Sequence, residues 1–290
     1  KRYFIMTILY HYCSPSTFAS IISRQSIWLS SLSLSNDSME GKLVSKTFEH
    51  FMEKDQIDYE IRSKMRRAMI FAEDIFDGLG FCLSKQPDLL SQWRGYASDG
   101  QGFAIGFSQA YLEALCATQM PTGQLSLNKV LYETVEHETT LRPLYEVMLP
   151  YAQSSSTPLS MTLGEFFNLE IAQQKSEAKI KAEEQLLTSS AKSSPNMFQL
   201  KSKAFAEEQE WRLLSLLAKY PENKGTLLFR ALENRLIPYR EFELKYLNID
   251  RICKVIVGPK NTTPKFVIER ILDQYGFKNV DIELSSATYR

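Results

Sequence analysis

Glu210-Trp211-Arg212-Leu213-Leu214-Ser215-Leu216-Leu217 is the stretch on which the fold turns. Residues 136–206 before it carry helical patterning and no strand signal, and here an apolar run of strand length begins. Strand side chains alternate between faces, so Glu210 and Arg212 share one face and Trp211 takes the other. Glu208 joins the first pair if the strand starts early. Downstream, strand character continues at Thr226–Leu232, Phe242–Tyr246 and Ile252–Val257, followed by a helix from Thr263 to Tyr275 and a short strand at 279–284.

Upstream of the helical middle the pattern alternates. Residues 4–12 predict a buried strand, and Ser14 N-caps a helix to Arg24 with Pro15 at its first position. Ile27–Ser30 predicts a strand, and Asp37-Ser38-Met39-Glu40 a capping box opening a helix to Met52. Ile57, Ile61, Met65, Met69, Ala72 and Phe76 recur at helical spacing, with Lys and Arg on the outer face. A strand at Phe81–Ser84, a helix at 89–97 and a turn at Ser98-Asp99-Gly100 follow. The next strand, Gly102–Phe107, has two glycines that imply close backbone approach. A helix at 109–117 and a strand at 126–133 precede the middle. Within 136–206, Ser-rich breaks at 154–158 and 188–195 separate helices, and Glu170–Glu184 is polar on nearly all sides. The expectation is an α+β fold with a mixed or split central sheet, one domain over 1–290, and a helical insertion at about 136–206.

The 34 basic and 34 acidic residues cancel, which argues against a general electrostatic nucleic-acid binder. Cys13, Cys82, Cys116 and Cys253 lie near apolar stretches without a CxxC pair and read as buried free thiols. His11, His50 and His137 have no ligand spacing with them, so no metal site is expected. No apolar run reaches membrane-spanning length, and the basic-then-apolar start reads as a strand, not a signal peptide. A cytoplasmic protein is expected.

Three segments hold the distinctive side chains. The first is Leu9-Tyr10-His11-Tyr12 with Trp28-Leu29-Ser30 and Asn36–Glu40, where His11 and Tyr12 can face a cleft or serve as strand residues. In the second, Ser91-Gln92-Trp93-Arg94-Gly95-Tyr96, stacking surface beside a fixed positive charge suits a nucleotide; Trp93 could equally anchor a surface helix. The third holds Lys201, Lys203, Glu208, Glu210 and Arg212: carboxylates at a strand mouth, or a solvated acidic turn with an arginine pair.

Taken in order, Leu-Tyr-His-Tyr, Trp28-Leu-Ser, Asn36-Asp37-x-x-Glu40, Ser91-Gln-Trp-Arg-x-Tyr96, Gly102-Phe-Ala-Ile-Gly-Phe107, Glu208-x-Glu-Trp-Arg212 and Val255-Ile-Val-Gly-Pro259 resemble the mainly bacterial domain of unknown function 2971 family across residues 9–275. Ser38 stands where that family usually has Pro, and 136–200 matches no motif of it. More distantly, the opening strand, helix and short strand look like ADP-ribosyltransferase folds. That likeness implies NAD as substrate, His11 holding the ribose beside Tyr12, and Trp28, Trp93 or Tyr96 stacking. It implies Glu210, or Glu208, as catalytic acid and Arg94 or Arg212 on the pyrophosphate. An unknown macromolecule would accept the ADP-ribose, in the manner of a bacterial toxin or phage-defence effector.

Two rivals stand beside this. Asp37, Glu40, Glu208, Glu210 and Lys203 are residue types of a divalent-metal nuclease. Trp28, Trp93 and Trp211 could instead line a non-enzymatic pocket for a nucleotide or peptide. Under any reading, the polar helix near 165–187 is a candidate surface for homo-oligomers.

Overall fold

A computed structural model describes residues 7–35, 41–155, 177–220, 227–232 and 234–289. Strand β1 (Ile8–Cys13) leads into α1 (Pro15–Arg24), where Ser14 Oγ accepts from Thr17 N as expected of the cap. Then come β2 (Ser26–Ser31), α2 (Leu43–Lys54), α3 (Tyr59–Ile75), β3 (Phe76–Ser84), α4 (Leu90–Tyr96), β4 (Phe103–Ser108), α5 (Gln109–Cys116) and β5 (Ser126–Lys129). The middle supplies α6 (Thr134–Ser154), α7 (Glu177–Ala191), α8 (Ser194–Met197) and a 3₁₀ turn at Lys203–Glu208. Strands β6 (Glu210–Ala218), β7 (Leu228–Leu232), β8 (Arg235–Glu243) and β9 (Ile252–Val257), helix α9 (Lys265–Gln274) and β10 (Asp281–Leu284) complete the described chain.

The ten strands form one sheet in the order β10-β9-β4-β1-β3-β2-β8-β7, with β6 on β3 and β5 on β6. It is mixed, since β10 runs parallel to β9 while the other pairs are antiparallel. Along one edge β3 pairs with β6 over its whole length, from Phe76↔Ala218 to Ser84↔Glu210. Its other edge is shared: β1 meets it at Tyr10↔Ser84 and β2 at Ser30↔Gly80. Between those pairings the sheet branches.

Alternation sorts the apolar side chains into two layers. On one face, Leu9, Leu29, Phe81, Ile105, Leu213 and Val255 pack beneath α1, α5 and α9 through Ile22, Leu112 and Ile268. On the other, Leu214 joins α2, α3, α6 and α7 around Phe48, Met65, Tyr145 and Leu186. Tyr10, Tyr12, Trp93, Ala97, Ala104 and Ile256 make a smaller cluster on that second face.

Glycine spacing misleads at β3. Phe76 belongs to the strand and not to the helix before it, and the strand includes Gly78 and Gly80. A methyl at Gly78 would collide with the Phe198 ring, and one at Gly80 would sit 2.7 Å from Leu32. The helical layer therefore lies directly on bare backbone there. The close approach expected of Gly102 and Gly106 is present: a Cβ at Gly102 would collide with the Cys13 carbonyl, and one at Gly106 would lie 2.7 Å from Ile8.

Other expectations need correction. Strand β8 begins at Arg235, well before Phe242; Pro238 and the arginines disguise its first half, where Ile237 and Tyr239 are buried on one face while Phe242 is buried on the other. Lys64 is buried, not on the outer face of α3, and donates to the Ser155 carbonyl at 2.6 Å. The Ser-rich break expected at 188–195 is present but narrow: α7 continues to Ala191 and α8 starts at Ser194, and Ser189, Ser190, Ser193 and Ser194 around it are buried. Ser190, Ser193 and Ser194 bend back to carbonyls three residues earlier. The capping box at Asp37–Glu40 lies outside the described residues. Residues 165–176 of the polar helix do too, while Ala182, Glu183 and Leu186 on α7 are buried among this chain's own residues.

Candidate functional site

The turn Lys203–Glu208 ends at Gln209, whose φ of 43 places it in the left-handed region, so the chain swings abruptly into β6. Glu208 therefore does not extend the strand. It still reaches the same face as Glu210, because Lys201 Nζ lies 2.6 Å from Glu208 Oε2 and 2.9 Å from Glu210 Oε2. Arg212, two residues along the strand, donates Nε to Glu210 Oε1 at 2.7 Å and Nη2 to Oε2 at 3.0 Å. Its Nη1 donates to the Phe198 carbonyl at 2.9 Å. All four charged side chains are buried, and their charges sum to zero.

Burial alone would raise the Glu210 carboxyl. The Arg212 guanidinium and Lys201 ammonium outweigh it and bring the pKa down to about 2. Burial would likewise lower Lys201, but the two carboxylates hold it above its ordinary value. A charge-balanced, fully hydrogen-bonded arrangement is what permits ions inside a protein.

This quartet lies between the two clusters of its sheet face. Phe198 ties it to the helical layer, and Tyr96 OH on α4 donates to Glu208 Oε1 at 3.4 Å. Burial and then the Glu208 charge push the Tyr96 hydroxyl up to about 12. Glu210 N donates to Tyr132 OH at 2.9 Å, and Ser84 Oγ to the Glu208 carbonyl at 2.6 Å. The register Cys82↔Arg212 sets Cys82 on this face as well. Its residue is exposed, contrary to the buried thiol expected, so this face meets solvent beside the quartet. The surrounding protein, and next the Glu210 carboxylate, raise its pKa well above the ordinary thiol value.

The expected site residues do not all converge. His11 aligns with Leu83 and Trp211 on the opposite face from Glu210. Its ring stacks on Phe81 with centroids 3.9 Å apart, and Nδ1 lies 2.8 Å from the Cys82 carbonyl in the gap between the β1 and β2 pairings. A carbonyl only accepts, so the Nδ1 proton is the one present. Burial lowers the His11 pKa to about 4, partly opposed by that bond. Trp211 packs against the first core, while Trp28 stacks on Tyr239 at 4.4 Å on β2. Trp93 is 0% exposed and donates Nε1 to Asp88 Oδ1 at 2.6 Å, so it anchors α4 and offers no stacking surface. The three tryptophans thus form no common pocket.

Tyr12 is on the Glu210 face but committed, donating to the Gln86 carbonyl and accepting from Leu89 N. Arg94 is exposed and faces the Tyr289 ring. Lys203 pairs with Glu133 at the surface, away from the quartet. Cys82, Asp88 and Tyr132 were missed by sequence reasoning. For Cys82 the signal was present: in a strand Phe81–Ser84 with Phe81 and Leu83 inward, it must face the other way. Among the described residues, no three His, Cys, Asp or Glu side chains are positioned to hold a metal ion. None of the described helices is long and apolar enough to cross a membrane.

No curated protein and no solved structure matches the chain. Residues 92–213, which run from α4 through Lys201 and Glu208 into the head of β6, match the model of the family described as Protein of unknown function (DUF2971), so over that stretch the chain is similar to this family.

Proposed function

We propose that the crevice between α4 and the helical layer binds NAD and that the chain transfers its ADP-ribose to a macromolecular acceptor. Glu208, not Glu210, is the carboxylate that faces the reacting sugar. One observation carries this choice. Both Glu210 oxygens are held by Arg212 and Lys201, whereas Glu208 Oε1 has, among the described residues, only the long 3.4 Å bond from Tyr96 OH. The Tyr96 ring beside it is 47% exposed and available to stack on a flat heterocycle.

In this reading the C–N bond between ribose and nicotinamide breaks, and its electron pair leaves with nicotinamide. Positive charge builds on the sugar, and the Glu208 carboxylate stabilises it more than the ground state. A nucleophile on the acceptor then bonds to the ribose C1′ and loses its proton to solvent. Arg94, exposed two residues before Tyr96 on α4, would reach toward the pyrophosphate. His11 has no part, being on the other face.

The nuclease alternative is less favoured because Lys201 Nζ already stands where a divalent cation bridging the two carboxylates would sit. Incubating the chain with NAD, with and without cell lysate or DNA, and following nicotinamide release tests the reading. Glu208→Gln should abolish release while the fold persists. Full activity in that variant, or no release from the parent chain in any condition, overturns it.

A further inference from the structure

After β10 the segment Ser285–Tyr289 turns back and crosses α4. Ser285 N donates to the Val257 carbonyl at 2.8 Å, and Ala287 packs on the Tyr12–Trp93 cluster. Asp88 gathers the rest: it accepts from Ser285 Oγ at 2.6 Å and from Ser286 N and Oγ at 2.7 Å, while the same carboxylate holds Trp93 Nε1. Farther on, Tyr289 OH donates to Asp99 Oδ1 at 2.6 Å. Lys260 Nζ donates to Asp99 Oδ2 at 2.8 Å and sits 3.8 Å from the Tyr289 ring centroid. Strap, helix and turn are thereby clasped at two carboxylates.

The turn so clasped is strained. Ser98, Asp99 and Gly100 have φ of 51, 55 and 85, three left-handed residues in a row, of which only glycine adopts that conformation freely. This turn caps α4, with Gly100 N donating to the Trp93 carbonyl at 2.9 Å. A strained segment persists only where its surroundings hold it. The strap itself has neither helix nor strand, and Asp99, Ser286 and Thr288 are exposed. Exposed polar bonds of this kind contribute little individually, so the strap belongs to the part of the molecule that opens without global unfolding.

We propose that the 285–289 strap is a releasable latch on α4. When closed it holds the left-handed turn and Trp93, and so sets Tyr96 against Glu208; when released, the turn relaxes and the last turn of α4 loses its cap. Asp88 and Asp99 are positioning residues acting through Tyr96. The consequence for turnover rests on the NAD reading; the latch itself does not.

The test is amide hydrogen exchange followed by mass spectrometry on the full chain and on Asp88→Asn, Tyr289→Phe and the double variant. Exchange within 90–102 should quicken at least tenfold in the double variant, with β3 and β6 amides changed less than twofold. Unchanged exchange at 90–102, or equal acceleration across the sheet, overturns the latch. Should Asp88→Asn fail to fold, a chain ending at Leu284 gives the same comparison. Nicotinamide release is read separately: with the latch established by exchange, an effect on release extends it to the site, and no release from any variant counts against the NAD reading alone.

Discussion

Replacing Glu210 by Gln keeps the side chain's shape and removes one charge from a buried group of four. Lys201 and Arg212 would then face Glu208 alone, leaving one net positive charge enclosed. In the folded chain the Glu210 carboxyl falls from 4.5 to about 2. At about 1.4 kcal/mol for each pH unit between those values, its ionised form contributes about 3 kcal/mol. Breaking a buried pair by removing one partner costs a similar roughly 3–5 kcal/mol. Because the folded value is depressed, this stability is fully present above the unfolded value of 4.5 and is lost as pH falls toward 2. Urea unfolding of parent and Glu210→Gln chains should therefore differ by about 3 kcal/mol at pH 7, and the difference should narrow by about 1 kcal/mol by pH 4. A difference under about 1 kcal/mol at pH 7, or one independent of pH, would refute the account of the quartet as a mutually dependent buried unit.

Three further outcomes follow from the same geometry. His11 is neutral in the fold down to about pH 4, against 6.5 when unfolded, so its contribution is present above 6.5 and lost as pH falls between those values. An NMR titration, assigned by comparison with His11→Gln, should place its midpoint near 4, and one near 6.5 would contradict its enclosure against Phe81. Cys82 is the exposed cysteine, so a maleimide should label it in the native chain while Cys13 and Cys253 react only after denaturation. Its rate should fall below that of a free thiol, because desolvation by the surrounding protein, and next the Glu210 carboxylate, disfavours the thiolate; prior labelling of Cys13 would contradict the assigned faces. Nicotinamide release should vanish in Glu208→Gln and weaken in Tyr96→Ala, and retention of full release in both would reject the crevice as its source.

Much of the architecture could be read from one dimension because local signals agreed with tertiary ones. Ser14 and Pro15 announce α1, and the alternation at β6 correctly separates Trp211 from Glu210 and Arg212. What escaped was decided by distant partners. The first half of β3, with Gly78 and Gly80, lies outside the strand expected at Phe81–Ser84, and only Phe198 and Leu32, distant in the chain, explain why those positions must be bare. The serines at 189–194 read as a break between helices, but not as buried, which they can be because the Ser190, Ser193 and Ser194 hydroxyls bond locally. For the site, identity and facing of Glu208, Glu210 and Arg212 were legible, but their engagement by Lys201 was not. Nor was His11's separation from them, which depends on the register of β1 against β3, a pairing across more than seventy positions.

Two cations and two anions held within hydrogen-bond reach of one another have a consequence beyond the crevice. Such a closed set has no net charge, so its field fades with distance faster than that of a single ion, and the chain as a whole carries a formal charge of zero. On the proposed NAD reading, neither the quartet nor the net charge would draw an anionic dinucleotide inward from long range. Encounter would proceed at the rate of unguided diffusion and respond weakly to added salt, with discrimination exerted only after contact, at the lip formed by Tyr96 and Glu208.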